Sequence, residues 1–345
     1  MNYWSGFITV FLLGAVLCLG IPLLIRRRAN SPAVKKVAEN MALILFSLLV
    51  TLMAAEFYFK VFFAQTDNRT FTLASKNWFE RYWALNSAGY RDIEWTPAML
   101  QRRKILVSGD SFAAGQGIEN IDDRFSNLLG QKLGPDYLVM NIAHPGYSTY
   151  DEIKRLQGFP FKPQILIHQY FINDIRHAAE EQHVKLPDLK IEPSPLIAPL
   201  VNNSYAFNFI YWRAILFGPK VWQGDNLAWL KMVYSDPGVW WVHQQELQML
   251  SDGATSEGVQ LIVVVFPILT DVEGSRDLTD QVVSWFRAKN VPVLDVAELV
   301  DNLPPEQLVV SSIDAHPSPW LHARVSEALY QIIEQLPSQP QTRNE

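Results

Sequence analysis

The chain has 345 residues, 49% of them hydrophobic, enough for one large domain with an appended segment. Its net charge of −6 and lack of a basic stripe exclude a nucleic-acid partner of the usual kind. A lone cysteine, Cys18, rules out an internal disulfide, a thiolate metal cluster and CxxC chemistry, so an oxidising compartment would do the fold no harm.

Residues 4–25 run without a charge, long enough at 1.5 Å per residue to cross a hydrocarbon core of about 30 Å. A secretory signal puts basic residues before its apolar run; here Arg26, Arg27 and Arg28 follow it. A second apolar run starts at Met41 and ends in Glu56, Lys60 and the aromatics Phe57, Tyr58, Phe59, Phe62 and Phe63, which suit an interfacial belt. The expectation is a two-helix membrane anchor over residues 1–64, with helices at about 4–25 and 41–62. The basic residues Arg26–Arg28, Lys35 and Lys36 then hold the loop 26–40 in the cytoplasm. Everything beyond about residue 65 would be periplasmic or extracellular, with a bacterial inner membrane as the expected location. The alternative for the second run is a buried helix of the following domain.

A lead-in at 65–103 precedes a change of pattern near Lys104, where short apolar runs begin to alternate with amphipathic stretches. Strands are predicted at 104–109, 137–142, 164–171, 259–268 and 291–296. Helices are predicted at 122–133, with Phe125, Leu128, Leu129 and Leu133 on one face, and at 148–157. A final helix from Pro319 aligns Leu321, Val325, Leu329, Ile332, Ile333 and Leu336 on one stripe. Such alternation implies an α/β domain over 104–337 with a mainly parallel five-stranded sheet covered on both faces. Its active site belongs at the carboxyl ends of the strands. Residues 184–240 interrupt the pattern and are rich in Pro and aromatics, among them Tyr205, Phe207, Phe209, Tyr211, Trp212, Phe217, Trp222 and Trp229. They read as an insertion with one or two helices, either packed over a sheet face or forming a lid or acceptor surface that touches the bilayer. A polar, disordered tail is expected at 338–345.

Four short blocks stand out, three of them at predicted strand ends. "SGDSF" (108–112) follows the first strand, so Ser111 sits on a turn at the sheet edge, where Gly109 permits the bend and a backbone N–H can face an oxyanion. "NIAHPGYST" (141–149) brings Gly146 to the loops after the second strand. "FIND" (171–174) does the same for Asn173 after the third, and "DAHP" (314–317) places Asp314 and His316 before the last helix. A hydroxyl, an imidazole, a carboxylate and oxyanion donors are the requirement for acyl transfer through a covalent intermediate.

In their order and placement these blocks resemble the SGNH (GDSL-type) hydrolase family over about residues 85–337, including the lead-in "LNSAGYRD" (85–92). The resemblance implies a flavodoxin-like three-layer sandwich preceded, in this chain, by the two transmembrane helices. It implies Ser111 as nucleophile, His316 as its base and Asp314 as the group orienting the imidazole. The N–H groups of Ser111 and Gly146 and the side chain of Asn173 would form the oxyanion hole, while Asp110 and Asp174 shape the loops. The G-x-S-x-G elbow of α/β-hydrolases is absent, since position 113 is Ala. Two departures stand out: Asp314 precedes His316 by two positions where the family usually has three, and Phe171 stands where a Gly is frequent.

The remaining histidines read blandly. His168 is expected in the core, His322 as a structural residue, and His144 beside the pocket; His177 with Asp174 makes only two ligands, and His183 and His243 give no signal. No cofactor and no metal site is expected. Three functions stay open: an extracytoplasmic serine esterase or lipase-like acylesterase, with de-O-acetylation of a glycan as one option, an O-acyltransferase modifying a cell-envelope or exported polysaccharide, and a non-catalytic binding or assembly protein that has kept the fold. The expected partners are an ester-bearing small molecule, lipid or glycan, and the membrane through two helices. Protein partners, acyl group and oligomeric state are not fixed by the sequence.

Overall fold

The computed structural model describes residues 3–68, 72–185, 192–216 and 221–336, and the tail expected at 338–345 lies outside them. Two long helices come first, α1 (Tyr3–Arg28) and α2 (Pro32–Val61). Helix α3 (Leu73–Tyr82) leads to β1 (Arg103–Ser108), the short α4 (Ser111–Ala114), α5 (Phe125–Leu133) and β2 (Tyr137–Asn141). Next are α6 (Thr149–Gln157), β3 (Ile165–Phe171) and α7 (Arg176–Glu181). Four helices follow in succession: α8 (Ala198–Asn203), α9 (Tyr205–Leu216), α10 (Val221–Ser235) and α11 (Pro237–Ser256). Alternation resumes with β4 (Gln260–Phe266), α12 (Val272–Arg287), β5 (Val293–Asp295) and α13 (Val296–Leu299). The chain ends in α14 (Pro305–Leu308), β6 (Val309–Ser311), β7 (Asp314–Pro317) and α15 (Pro319–Gln335).

The chain divides into two compact units. One comprises Met1–Gln65, Phe71–Asn77 and Glu192–Ile215; the other comprises Thr66–Thr70, Trp78–Ile191 and Leu216–Glu345.

In the larger unit β1 to β5 form an all-parallel sheet in the order β2-β1-β3-β4-β5. Ile105 stands opposite Val139 on one side and Ile165 on the other, and Ile165 to Phe171 pair in register with Gln260 to Phe266. These strands are nearly continuous runs of β-branched and aliphatic residues, as a sheet buried on both faces requires. Their period of two separates two cores. Leu106, Leu138, Met140, Leu166 and Val263 pack with Leu247 and Leu250 of α11 and Leu278, Val282 and Phe286 of α12. Ile105, Val107, Val139, Ile167 and Val264 face Phe125 and Leu129 of α5 and Leu321, Val325 and Leu329 of α15. The α/β layering with a five-stranded parallel sheet is the expected one, and its strand order is flavodoxin-like. Order reverses at β1, whose neighbours β2 and β3 are reached in opposite directions, so a crevice opens between the carboxyl ends of β1 and β3.

Three details differ from expectation. Helix α2 begins at Pro32, with Pro at its first turn, rather than near Met41. The polar stretch before the apolar run is built of good helix formers such as Ala, Lys and Glu, so helix and hydrophobic segment do not share a start. The stretch 184–240 holds α8, α9, α10 and the start of α11 rather than one or two helices. An antiparallel ribbon, β6 with β7, was not anticipated because each strand is only three or four residues long.

In the smaller unit α1 and α2 form an antiparallel hairpin. The Tyr3 hydroxyl donates to Glu56 Oε1 at 2.7 Å at one end, and Arg26 pairs with Glu39 at 2.5 Å at the other. A Cβ added to Gly14 would come 3.0 Å from Leu49 Cδ1, so this glycine lets the two helices pack closely. Both helices are long and apolar enough to cross a membrane, and most of their large side chains point outward.

Candidate active site

The turn after β1 is set by a glycine and a glutamine. Gly109 has φ of 154°, and a Cβ there would fall 2.4 Å from Gln169 Oε1 and 2.8 Å from the Ala113 Cβ, so only glycine fits. Gln169 Oε1, on β3, accepts from the backbone N–H groups of Asp110 and Ala113, both at 3.0 Å. Asp110 caps α4 by accepting from Phe112 N at 2.9 Å. These bonds fix Ser111 as the first residue of α4, half-buried at the carboxyl edge of the sheet.

His316 Nε2 lies 2.9 Å from Ser111 Oγ. Its Nδ1 donates to Asp314 Oδ1, and its backbone N–H donates to the same oxygen at 3.2 Å. The two-residue spacing that departs from the family pattern has a geometric reason. Both residues lie on β7, where positions i and i+2 share a face, so the carboxylate and the imidazole meet side by side. Helix-like spacing would call for a longer step.

The second oxygen of Asp314 is engaged by a residue that sequence reasoning missed. Thr66 Oγ1 donates to Asp314 Oδ2. Around it, Asn68 Oδ1 accepts from Ala315 N at 2.6 Å, Asn68 N donates to Ile313 O at 3.2 Å, and Gln116 Nε2 donates to Asp67 O at 3.1 Å. Residues 66–68 therefore brace β7 from one side. No motif in "TDN" signals this; the contact joins residues 248 positions apart.

Electrostatics follows from these contacts. Burial works to raise the Asp314 carboxyl, but the His316 ring and the hydrogen bonds from His316 and Thr66 outweigh it, and the net shift is downward. Burial likewise depresses His316, yet the charge and hydrogen bond of Asp314 prevail and raise it above the ordinary histidine value. Both shifts favour the ionised pair.

Gly146 and Asn173 lie on the loops after β2 and β3, at the same sheet edge as Ser111. The first loop is tied to the nucleophile turn by His144 N donating to Gly109 O at 3.0 Å. Gly146 has φ of 80°, and a Cβ there would meet nothing within 4 Å. Asn173 sits half-buried in the turn Ile172–Ile175, its Oδ1 without a hydrogen-bond partner among the described residues. Phe171, where the family pattern often has Gly, stacks on Phe112 with ring centroids 4.4 Å apart and fills space beside the nucleophile. His144 is exposed, its ring tilted against Tyr147 with centroids 4.3 Å apart.

Behind this edge lies a buried acidic cluster. Glu152, His168 and Asp174 place one ligand-type atom each within 4.8 Å of one another, and Asp110 is close enough to perturb them. His168 Nδ1 meets Ser108 Oγ at 3.1 Å and lies 3.0 Å from Glu152 Oε2 without the alignment of a hydrogen bond. Both Glu152 oxygens and Asp174 Oδ1 have no hydrogen-bond donor among the described residues. Burial pushes Glu152 and Asp174 well above the carboxylate range, reinforced for Glu152 by Asp110 and Asp151 and for Asp174 by Glu152 and Asp110. It also pushes His168 down to about 3. By distance the three could hold a cation, but the packing favours protonated carboxyls and a neutral imidazole. The weaker His177–Asp174 idea does not form: His177 Nδ1 pairs with Glu246 Oε1 at 2.6 Å. His322 is structural, as expected, accepting from Phe125 N at 3.2 Å. His243, which gave no signal, joins a buried chain through Tyr170 (2.8 Å) and Glu246 (2.7 Å).

No protein-family model and no curated protein matches the sequence. Among solved structures, the chain is similar to a protein assigned to the lipolytic G-D-S-L family from Desulfitobacterium hafniense DCB-2, at 17% identity and TM-score 0.42, over 67% of this chain and 99% of that one. The lipase/acylhydrolase from Enterococcus faecalis matches at 16% identity and TM-score 0.42, over 69% and 100%. A member of the lipolytic protein G-D-S-L family from Veillonella parvula DSM 2008 matches at 11% and 0.39, over 68% and 100%. The four sequence blocks resemble the same family. Likenesses this remote carry no functional argument, so activity must be argued from the side chains.

Proposed function

We propose that the chain is a serine esterase working through an acyl-enzyme on Ser111. The observation that carries it is the unbroken relay Ser111 Oγ–His316 Nε2 (2.9 Å), then His316 Nδ1 to Asp314. Ser111 Oγ attacks the ester carbonyl as its proton passes to His316 Nε2. The imidazolium gives that proton to the departing alcohol oxygen, and the acyl group stays on Ser111. Water then loses a proton to Nε2 and attacks the acyl carbon, releasing the acid and the free serine. Asp314 keeps the Nδ1–H tautomer and stabilises the imidazolium. The N–H groups of Ser111 and Gly146 and the Asn173 amide are assigned to the tetrahedral oxyanion, each such donor being worth about 3 kcal/mol in known sites.

Phe171 against Phe112 favours a short acyl group, which supports an O-acetyl ester, such as one on a glycan, over a long-chain lipid. We place α1 and α2 across a membrane and the hydrolase on the extracytoplasmic face, on the strength of the basic connection between the helices. A topology reporter fused after residue 70 should read outside the cytoplasm; a cytoplasmic reading would overturn the orientation.

The deciding experiment is acid release by the full chain in detergent from p-nitrophenyl acetate and octanoate. Turnover should favour acetate and fall at least about 1,000-fold in Ser111→Ala with folding intact. An unchanged rate in the variant would discard the assignment.

A further inference from the structure

Residues 193–212 carry no charge. They include α8 and all but the last turn of α9, which carries Arg213 bonded to Gln65, and they belong to the compact unit of α1 and α2. Helix α9 has 12 residues, about 18 Å at 1.5 Å per residue, too short to cross a hydrocarbon core of about 30 Å. Its inner face is thoroughly bonded within that unit. Glu56, near the end of α2, accepts from Tyr205 N, Ala206 N and Ser204 Oγ, all at 2.8 Å, and so satisfies donors that would otherwise be open at the start of α9. Phe59 of α2 stacks on Phe209 at 4.3 Å, Lys60 donates to the Tyr205 hydroxyl at 2.9 Å, and Asn208 accepts from Leu73 N at 2.9 Å. Apart from Asn202 and Asn203, the exposed side chains described on α8 and α9 are apolar. Ile210 is 61% exposed, and Leu200 and Leu196 of the approach are 54% and 88% exposed. Phe207 joins them, as do Phe57, Tyr58 and Phe62 on the adjoining end of α2.

An uncharged, outward apolar surface beside the end of an apolar helix pair, with its helix start satisfied by a protein carboxylate, meets the condition for backbone held inside lipid. We infer that α8 and α9 form a third, re-entrant membrane element that inserts Leu200, Phe207 and Ile210 into the bilayer beside the α1–α2 hairpin. Glu56, the carboxylate that ends the apolar run 41–55 of α2, caps it. The proposal rests on the anchoring proposed above and names lipid as the partner of this surface.

The test uses the full chain with Cys18→Ser and a single new cysteine labelled with a short fluorophore, reconstituted in phosphatidylcholine vesicles with and without brominated acyl chains. Leu52→Cys on α2 reports a spanning site, and Glu257→Cys in the larger unit reports water. Quenching at Ile210→Cys should reach at least half of that at Leu52→Cys, with Glu257→Cys nearly unaffected. Quenching at Leu52→Cys without any at Ile210→Cys overturns the third element and leaves the two spans standing. Loss of quenching at Leu52→Cys as well overturns the anchor and this proposal together.

Discussion

His316–Asp314 and His168–Glu152 are both buried histidine–carboxylate pairs in the same unit, and they are pushed toward opposite charge states. Asp314 is lowered and His316 raised, whereas Glu152 is raised well above its usual range and His168 falls to about 3. Distance to the partner does not separate them, since His168 and Glu152 are 3.0 Å apart. What differs is the number of donors on the carboxylate. Asp314 receives His316 Nδ1, His316 N and Thr66 Oγ1, while Glu152 receives none among the described residues. Desolvating a charge costs several kcal/mol, and each hydrogen bond to an ionised group returns about 1.5–3 kcal/mol, so three donors tip the balance that none leaves untouched. Asp110, Glu152 and Asp174 also repel one another, which favours protonation further.

The contrast can be broken at Asp314. Asp314→Asn removes the charge that raises His316 and loosens the tautomer it holds; kcat should fall by about 10,000-fold in ester hydrolysis. In the unmodified chain His316 must shed its proton to act as base. Its raised pKa therefore puts the acid limb of kcat/KM above the ordinary histidine value near 6.5. Residual activity of the variant should show that limb displaced to lower pH. A limb that stays put would mean the pair is not what sets it.

A smaller effect should come from Thr66. Thr66→Val deletes one of the three donors and leaves an oxygen of Asp314 buried without a partner, a loss of about 1.5 kcal/mol or roughly tenfold in kcat. KM should barely move, and Thr66→Ser should restore the rate, which simple loosening of the fold would not allow.

The smallest change in rate should follow Glu152→Gln, because the carboxyl is already neutral in the folded state; kcat should stay within about twofold. Stability is the sharper readout. A carboxyl raised by folding binds its proton in the native chain and loses it on unfolding above about pH 4.3, so it weakens the fold as pH rises from there toward the folded value. Urea midpoints should decline less between pH 5 and 8 in Glu152→Gln than in the unmodified chain. An identical decline would show that Glu152 is ionised after all.

Sequence patterns revealed the sheet because buried parallel strands are continuous apolar runs, and they placed Ser111 because it follows a strand end and Asp314 and His316 because they stand just before the last helix. Thr66 and Asn68 were invisible: they act through contacts closed only when the chain returns more than 240 residues later. Glu152 was hidden by its place in a helix with a polar surface, where one carboxylate looks like any other until burial is known. The ribbon of β6 and β7 escaped because strands so short leave no periodic trace. His168 was readable as a core residue, but not its neutral state, which depends on which donors its neighbours lack.

The brace on Asp314 comes from the residues that come next in the chain after the second apolar helix, since α2 ends at Val61 and Thr66 follows a short connection. The support of the acid is therefore separable from the triad by a single cut. A protease cutting on the catalytic side of Asn68 would leave a fragment that keeps Ser111, His316 and Asp314 yet parts from Thr66 and Asn68. That fragment would carry a triad with its acid unsupported, so its rate is expected to fall at least as far as that of Thr66→Val, while cuts that spare the first residues after α2 leave the rate unchanged.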